Sequence, residues 1–119
     1  MPQLTIEYTP NIIEKNNFSD LFQTCHEILA QKLPAALQDC KSRAIQQNEY
    51  YMGAGEPNNA FVMVHLKCME GRSKETLQMV MQEIMHTLQN HFATSLKQLN
   101  LQITLQLEEL THDKYFKVG

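Results

Sequence analysis

Near its C-terminal end the chain runs Leu99, Leu101, Ile103, Leu105 and Leu107 in strict alternation with Asn100, Gln102, Thr104 and Gln106. Successive side chains leave a strand on opposite sides, so this period of two predicts a strand with one greasy and one polar face. Such a strand commits the chain to a sheet with one face to bury. Two other segments can pair with it. Leu4, Ile6 and Tyr8 alternate with Thr5 and Glu7. From Ala60 to Cys68 both parities are apolar, with Phe61 and Met63 on one side and Val62, Val64 and Leu66 on the other. That pattern predicts an interior strand. A fourth strand, about Lys41 to Tyr50, is mostly polar and rests on Ala44, Ile45 and its position.

The gaps between strands carry helical spacing. Ser19 is an expected N-cap, followed by Phe22, Cys25, Leu29 and Leu33 before Pro34 ends the run. Ser73 caps a second helix, with Glu75 in its first turn and a stripe of Leu77, Val80, Met81, Ile84, Met85, Leu88 and Phe92. Met79, Met81 and Met85 belong to helix packing. Met52 to Asn59 holds two glycines and a proline, and is a loop between halves. The order is β-α-β, loop, β-α-β. It is an internal repeat with halves at about 1–51 and 60–119, and each half is a parallel βαβ unit with a right-handed crossover. The expected fold is α/β (α+β by some schemes): a single domain over 1–119, with a four-stranded sheet and two helices on one face. The other face is then bare, and a further copy of the chain is its expected cover.

Composition narrows the function. At 119 residues and 43% hydrophobic content the chain has the make-up of one globular domain. Surface scaling predicts roughly 6,600 Å² of exposed surface when folded. Thirteen Asp and Glu outnumber ten Lys and Arg, which leaves no field to attract nucleic acid or an acidic membrane. No apolar run is long enough to cross a bilayer, and the first twenty residues lack a secretory pattern. A cytoplasmic location is expected. Cys25, Cys40 and Cys68 are odd in number and far apart, and are expected as free thiols. His86 and His91 are five apart, unlike a zinc-helix pair at four, and no thiol or carboxylate completes a metal site. Glu108 and Glu109 point to opposite faces of a strand and make no acid/base pair. No Gly-rich phosphate loop is present.

Two features carry possible chemistry. Only Arg43 and Arg72 among the ten cations are arginine, whose planar fork suits carboxylates. Arg72 lies in Glu70-Gly71-Arg72-Ser73, at a strand-to-helix turn where backbone donors favour anions. Taken singly, either arginine is more often a solvated surface residue. The other feature is Pro2. With Met1 removed, its secondary amine becomes the free terminus. Terminal amines titrate near ~7.7–8.0, lower still when desolvated or beside a cation. Taken singly, a proline here more often just begins a strand.

In company these features resemble a family. Met1-Pro2 with Ile6-Glu7, Ser42-Arg43, Met52, Ala60-Phe61-Val62, Leu66-Lys67, Gly71-Arg72-Ser73 with Glu75, His91-Phe92-Ala93, Glu108-Glu109-Leu110 and Phe116-Lys117 run in order along nearly the whole chain. The chain resembles the 5-carboxymethyl-2-hydroxymuconate delta-isomerase family of the tautomerase superfamily. The resemblance implies a homotrimer with no metal and no cofactor. It implies that Pro2 is the catalytic base, that Arg43 and Arg72 hold the carboxylates of a small substrate, and that Phe116 is a pocket wall. Lys41 stands where a second arginine beside Arg43 is expected, and becomes a further substrate-binding position. The implied activity is ketonisation of a 2-hydroxymuconate-type di- or tricarboxylate, a step of homoprotocatechuate degradation. The rival reading is a non-catalytic trimer that binds small acids or serves as a scaffold.

Overall fold

In the computed structural model, which describes residues 1–119, the chain forms strand β1 (Gln3–Tyr8), helix α1 (Phe18–Lys32), strands β2 (Lys41–Gln46) and β3 (Asn59–Met69), helices α2 (Lys74–His91) and α3 (Ala93–Gln98), and strand β4 (Asn100–Leu110). Short 3-10 turns occupy Leu37–Asp39 and His112–Lys114. The sheet order is β2-β1-β3-β4. β1 runs parallel to β2, and β3 parallel to β4, while β1 and β3 are antiparallel at the centre. The two βαβ halves thus meet back to back, and the expected four-stranded architecture holds.

The parity of each strand sets its burial. Leu4 and Ile6 of β1 and Ala60, Val62, Val64, Leu66 and Cys68 of β3 are buried in one cluster with Leu21, Cys25 and Leu29 of α1 and Val80, Ile84 and Leu88 of α2. Both helices therefore cover the same face of the sheet. Leu101, Ile103, Leu105 and Leu107 of the edge strand β4 are only half-buried against that core.

The opposite face is open, and its side chains form rows in register across the sheet. One row is Lys41, Gln3, Lys67 and Glu108; the next is Arg43, Thr5, His65 and Gln106. Phe61 and Met63 make the apolar end of this face, where the Tyr50 ring meets Phe61 edge-on with centroids 6.0 Å apart. Only that end is greasy. Towards the other end β3 presents His65 and Lys67.

Three expectations need correction. α1 begins at Phe18, with Asn17 rather than Ser19 at the N-cap position and no side-chain cap bond. Phe18 packs on Tyr8 at 5.0 Å and Phe22 at 5.9 Å, so aromatic contact fixes this helix start. β2 stops at Gln46 rather than continuing to Tyr50, because β1, its only partner, ends at the paired Tyr8. α3 was not foreseen, since six residues carry no period. It is held by Glu14, whose carboxylate accepts from the Ser95 backbone N–H at 3.0 Å and from the Ser95 hydroxyl. Ser73 does cap α2 as expected, its Oγ accepting from Thr76 N at 3.1 Å. The three cysteines are free and buried. No helix is long and apolar enough to cross a membrane.

Candidate functional site

The antiparallel centre of the sheet brings the first residues of β1 beside the last residues of β3, and the parallel partner β2 starts at the same end. Pro2 is buried there, and its carbonyl accepts from Lys41 N at 3.2 Å. Gln3 and Lys41 are cross-strand partners on the open face. The C-terminal segment returns over this end, and between the two lies a cavity of about 730 Å³. Gln3, Asp39, Lys41, Tyr115, Phe116 and Lys117 line it, together with Gln38, Val118 and Gly119.

The chain's amino group reaches one residue of this cavity's lining. The Met1 ammonium donates to Tyr115 Oη at 3.3 Å. Its pKa lies below the ordinary 8.0, first because of partial desolvation and next because of the Lys41 charge; Lys117 acts in the same direction and Asp39 opposes them. An amine at this end of β1 is thus biased towards its uncharged, basic form. Asp39 organises the lysines around it. Lys117 Nζ pairs with Asp39 Oδ1 at 3.0 Å, and Lys41 Nζ donates to the Asp39 carbonyl at 3.3 Å. The Lys117 bond and charge hold the Asp39 carboxyl below its ordinary range.

The residues singled out in the sequence divide in position. Lys41 and Phe116 line the cavity, and Pro2 adjoins it through Gln3. Phe116 is 96% exposed, so its ring forms the rim of the cavity rather than an enclosed wall. Arg43 sits one row further along the open face, and its Nη2 donates to Gln3 Oε1 at 3.1 Å. Arg72 does not line the cavity. Its Nη1 donates to Met69 O at 3.0 Å and its Nη2 to Pro34 O at 3.5 Å, tying the β3–α2 turn to the end of α1. Tyr115 and Asp39 were not anticipated. Neither belongs to a local motif, and only the folding back of the tail brings them together.

The histidines lie elsewhere. His26 Nε2 is 2.6 Å from Ser42 Oγ, and burial lowers its pKa. His91 packs on Phe92 with centroids 4.7 Å apart. No three His, Cys, Asp or Glu side chains are grouped to hold a metal ion.

Comparison with known proteins gives the family and the fold. The sequence model of a family described as 5-carboxymethyl-2-hydroxymuconate isomerase matches residues 2–119. A 5-carboxymethyl-2-hydroxymuconate Delta-isomerase from Escherichia coli is 28% identical over 117 residues, covering 98% of this chain and 93% of that protein. The crystal structure of a 5-carboxymethyl-2-hydroxymuconate isomerase from Deinococcus radiodurans R1 superposes with a TM-score of 0.90 at 28% identity, covering 99% of this chain and 89% of that one. A fused 4-OT solved as a symmetric trimer shares the fold, with a TM-score of 0.67 at 14% identity over 90% of this chain and 85% of that chain.

Proposed function

The chain belongs to the 5-carboxymethyl-2-hydroxymuconate isomerase family of the tautomerase superfamily, a family of enzymes, and we propose that it ketonises 5-carboxymethyl-2-hydroxymuconate or a close di- or tricarboxylate with the amine of Pro2 as its base. One observation carries this reading: the Met1 amine, one residue from the Pro2 nitrogen, bonds Tyr115 in the lining of a lysine-bearing cavity, and desolvation and Lys41 lower the pKa of that amine. Removal of Met1 exposes the Pro2 nitrogen at that end of the sheet. As a neutral secondary amine it takes the proton from the 2-hydroxyl group. The oxygen's electron pair forms the carbonyl, the double bonds shift along the chain, and a carbon further along accepts the proton back. Cations on the carboxylates draw electron density towards them and stabilise the dienolate-like transition state.

The cations have separate parts. Lys41 faces the cavity directly, and Arg43 holds Gln3 against it. Arg72 gives two of its five N–H donors to its own chain, which leaves three for a carboxylate. Since it does not line the cavity of its own chain, it serves the cavity of a neighbouring subunit. The working form is a homotrimer, in keeping with the open sheet face, and the reaction is cytoplasmic.

Loss of the ultraviolet absorbance of the dienol measures the activity. Arg72→Ala raises KM on the order of tenfold, the worth of a charged hydrogen bond, with a smaller effect on kcat. Arg43→Ala lowers kcat as well. Wild-type kinetics in both variants would remove the arginines from the site, and no turnover of any 2-hydroxymuconate by the wild type would remove the function.

A further inference from the structure

We propose that His26 is a positioning residue: its hydrogen bond to Ser42 fixes the register of β2 against β1 and so places Arg43 beside Gln3. The inference rests on the function proposed above and adds to it a residue that touches neither substrate nor base.

β2 is the strand whose place its own sequence specifies least. It lies at the edge of the sheet with β1 as its only partner. It sets Ser42, Ala44 and Gln46 on the helix side, and Lys41, Arg43 and Ile45 on the open side. Register is enforced by burying one apolar face, and a strand without such a face slips readily. Here the one large apolar residue, Ile45, points away from the core and is 44% exposed. The backbone ladder makes no choice either, since every register forms one. A slip of one residue would turn Arg43 towards the helices, and a slip of two would carry it about 6.6 Å along β1.

Ser42 breaks the pattern of its own row. Across the helix side of the sheet that row is Ser42, Leu4, Leu66 and Leu107, and Leu4 and Leu66 are fully buried. The hydroxyl finds its partner on α1, where His26 follows the buried Cys25, and Nε2 and Oγ are 2.6 Å apart. Of the side-chain hydrogen bonds that β2 makes, this one alone reaches the helices. Lys41 bonds Asp39, Arg43 bonds Gln3, and Gln46 bonds Asn48. A contact that short is met in one register only. After a slip of two the ring would meet Cys40 or Ala44, whose side chains offer no oxygen. The pair therefore supplies the choice of register that the apolar pattern of β2 lacks, and Arg43, next along the strand, is held where its Nη2 meets Gln3.

The test reads strand order and turnover separately. His26→Ala is expected to lower kcat/KM on 5-carboxymethyl-2-hydroxymuconate about fivefold, the worth of one hydrogen bond, and to speed amide exchange in β2 by a similar factor. Amides at the β1–β3 centre keep their rates. Ser42→Ala, the gentler change, gives the same losses, and the double variant is no worse than either single one. His26→Gln, whose amide nitrogen reaches about as far as the imidazole Nε2, restores both readouts to within about twofold. In an Arg43→Ala background the loss of His26 costs less than about twofold further, because His26 acts through that side chain. Unchanged exchange or unchanged kcat/KM in both His26→Ala and Ser42→Ala overturns the proposal. So does a fivefold loss that persists in the Arg43→Ala background, or a His26→Gln variant no better than His26→Ala. If the wild type turns over no 2-hydroxymuconate while β2 exchange still responds to both variants, the proposed reaction falls and the register role of His26 stands.

Discussion

Lys41 acts twice at the start of the chain. Its backbone N–H bonds the Pro2 carbonyl, which fixes the end of β1, while its ammonium charge disfavours protonation of the amine beside it. The sign is then fixed. A base with a lowered pKa is uncharged at lower pH, so kcat/KM rises through an apparent pKa below the ordinary terminal value of about 8. Lys41→Gln removes a cation, which lets the amine hold its proton more easily. The rising limb of the kcat/KM profile should therefore move to higher pH. A limb that stays in place, or moves down, would take Lys41 out of the electrostatics of the base.

The elements differ in what holds them, and this decides how much of each was legible. Ser73 bonds a backbone N–H three residues on, so local sequence revealed the start of α2. Phe18 begins α1 because it meets Tyr8 and, at 6.4 Å, Phe92 from the far end of the chain, and no window of sequence holds that information. The strands were visible from parity, whereas α3 depends on a link of 81 residues between Glu14 and Ser95. Ser95 also accepts from Ile13 N at 3.0 Å. Ser95→Ala leaves that N–H and one Glu14 oxygen without their partner, and should cost about 1 kcal/mol in urea unfolding with KM unchanged. A loss below a few tenths of a kcal/mol would mean that α3 is held by its apolar contacts instead. The proposed site was legible in the same uneven way. Pro2, Arg43 and Arg72 could be singled out as residues, Lys41 and Phe116 only through the family resemblance, while Asp39 and Tyr115 come to the cavity only when the tail returns to the start of β1.

At the scale of the whole molecule, one face of the sheet lacks a covering layer. The chain exposes 7189 Å², against roughly 6,600 Å² for a monomer of its mass. Its radius of gyration is 15.1 Å, against about 13.5 Å for a compact domain of this length. Phe61, Met63, Phe116 and Val118 are among the apolar groups left at least partly open. The proposed trimer of three 13.8 kDa chains would cover this surface, and sedimentation should find that mass, with activity falling on dilution to monomers. A fully active monomer at micromolar concentration would break the link between assembly and site. The central claim, that a free proline amine performs the proton transfer, has a more direct test. Turnover of 5-carboxymethyl-2-hydroxymuconate can be measured on preparations whose intact mass shows Met1 removed and on preparations that retain it. Activity is expected to follow the processed fraction and to vanish where Met1 remains, because an amide nitrogen has no usable lone pair. Equal turnover by the Met1-retaining protein would contradict the account.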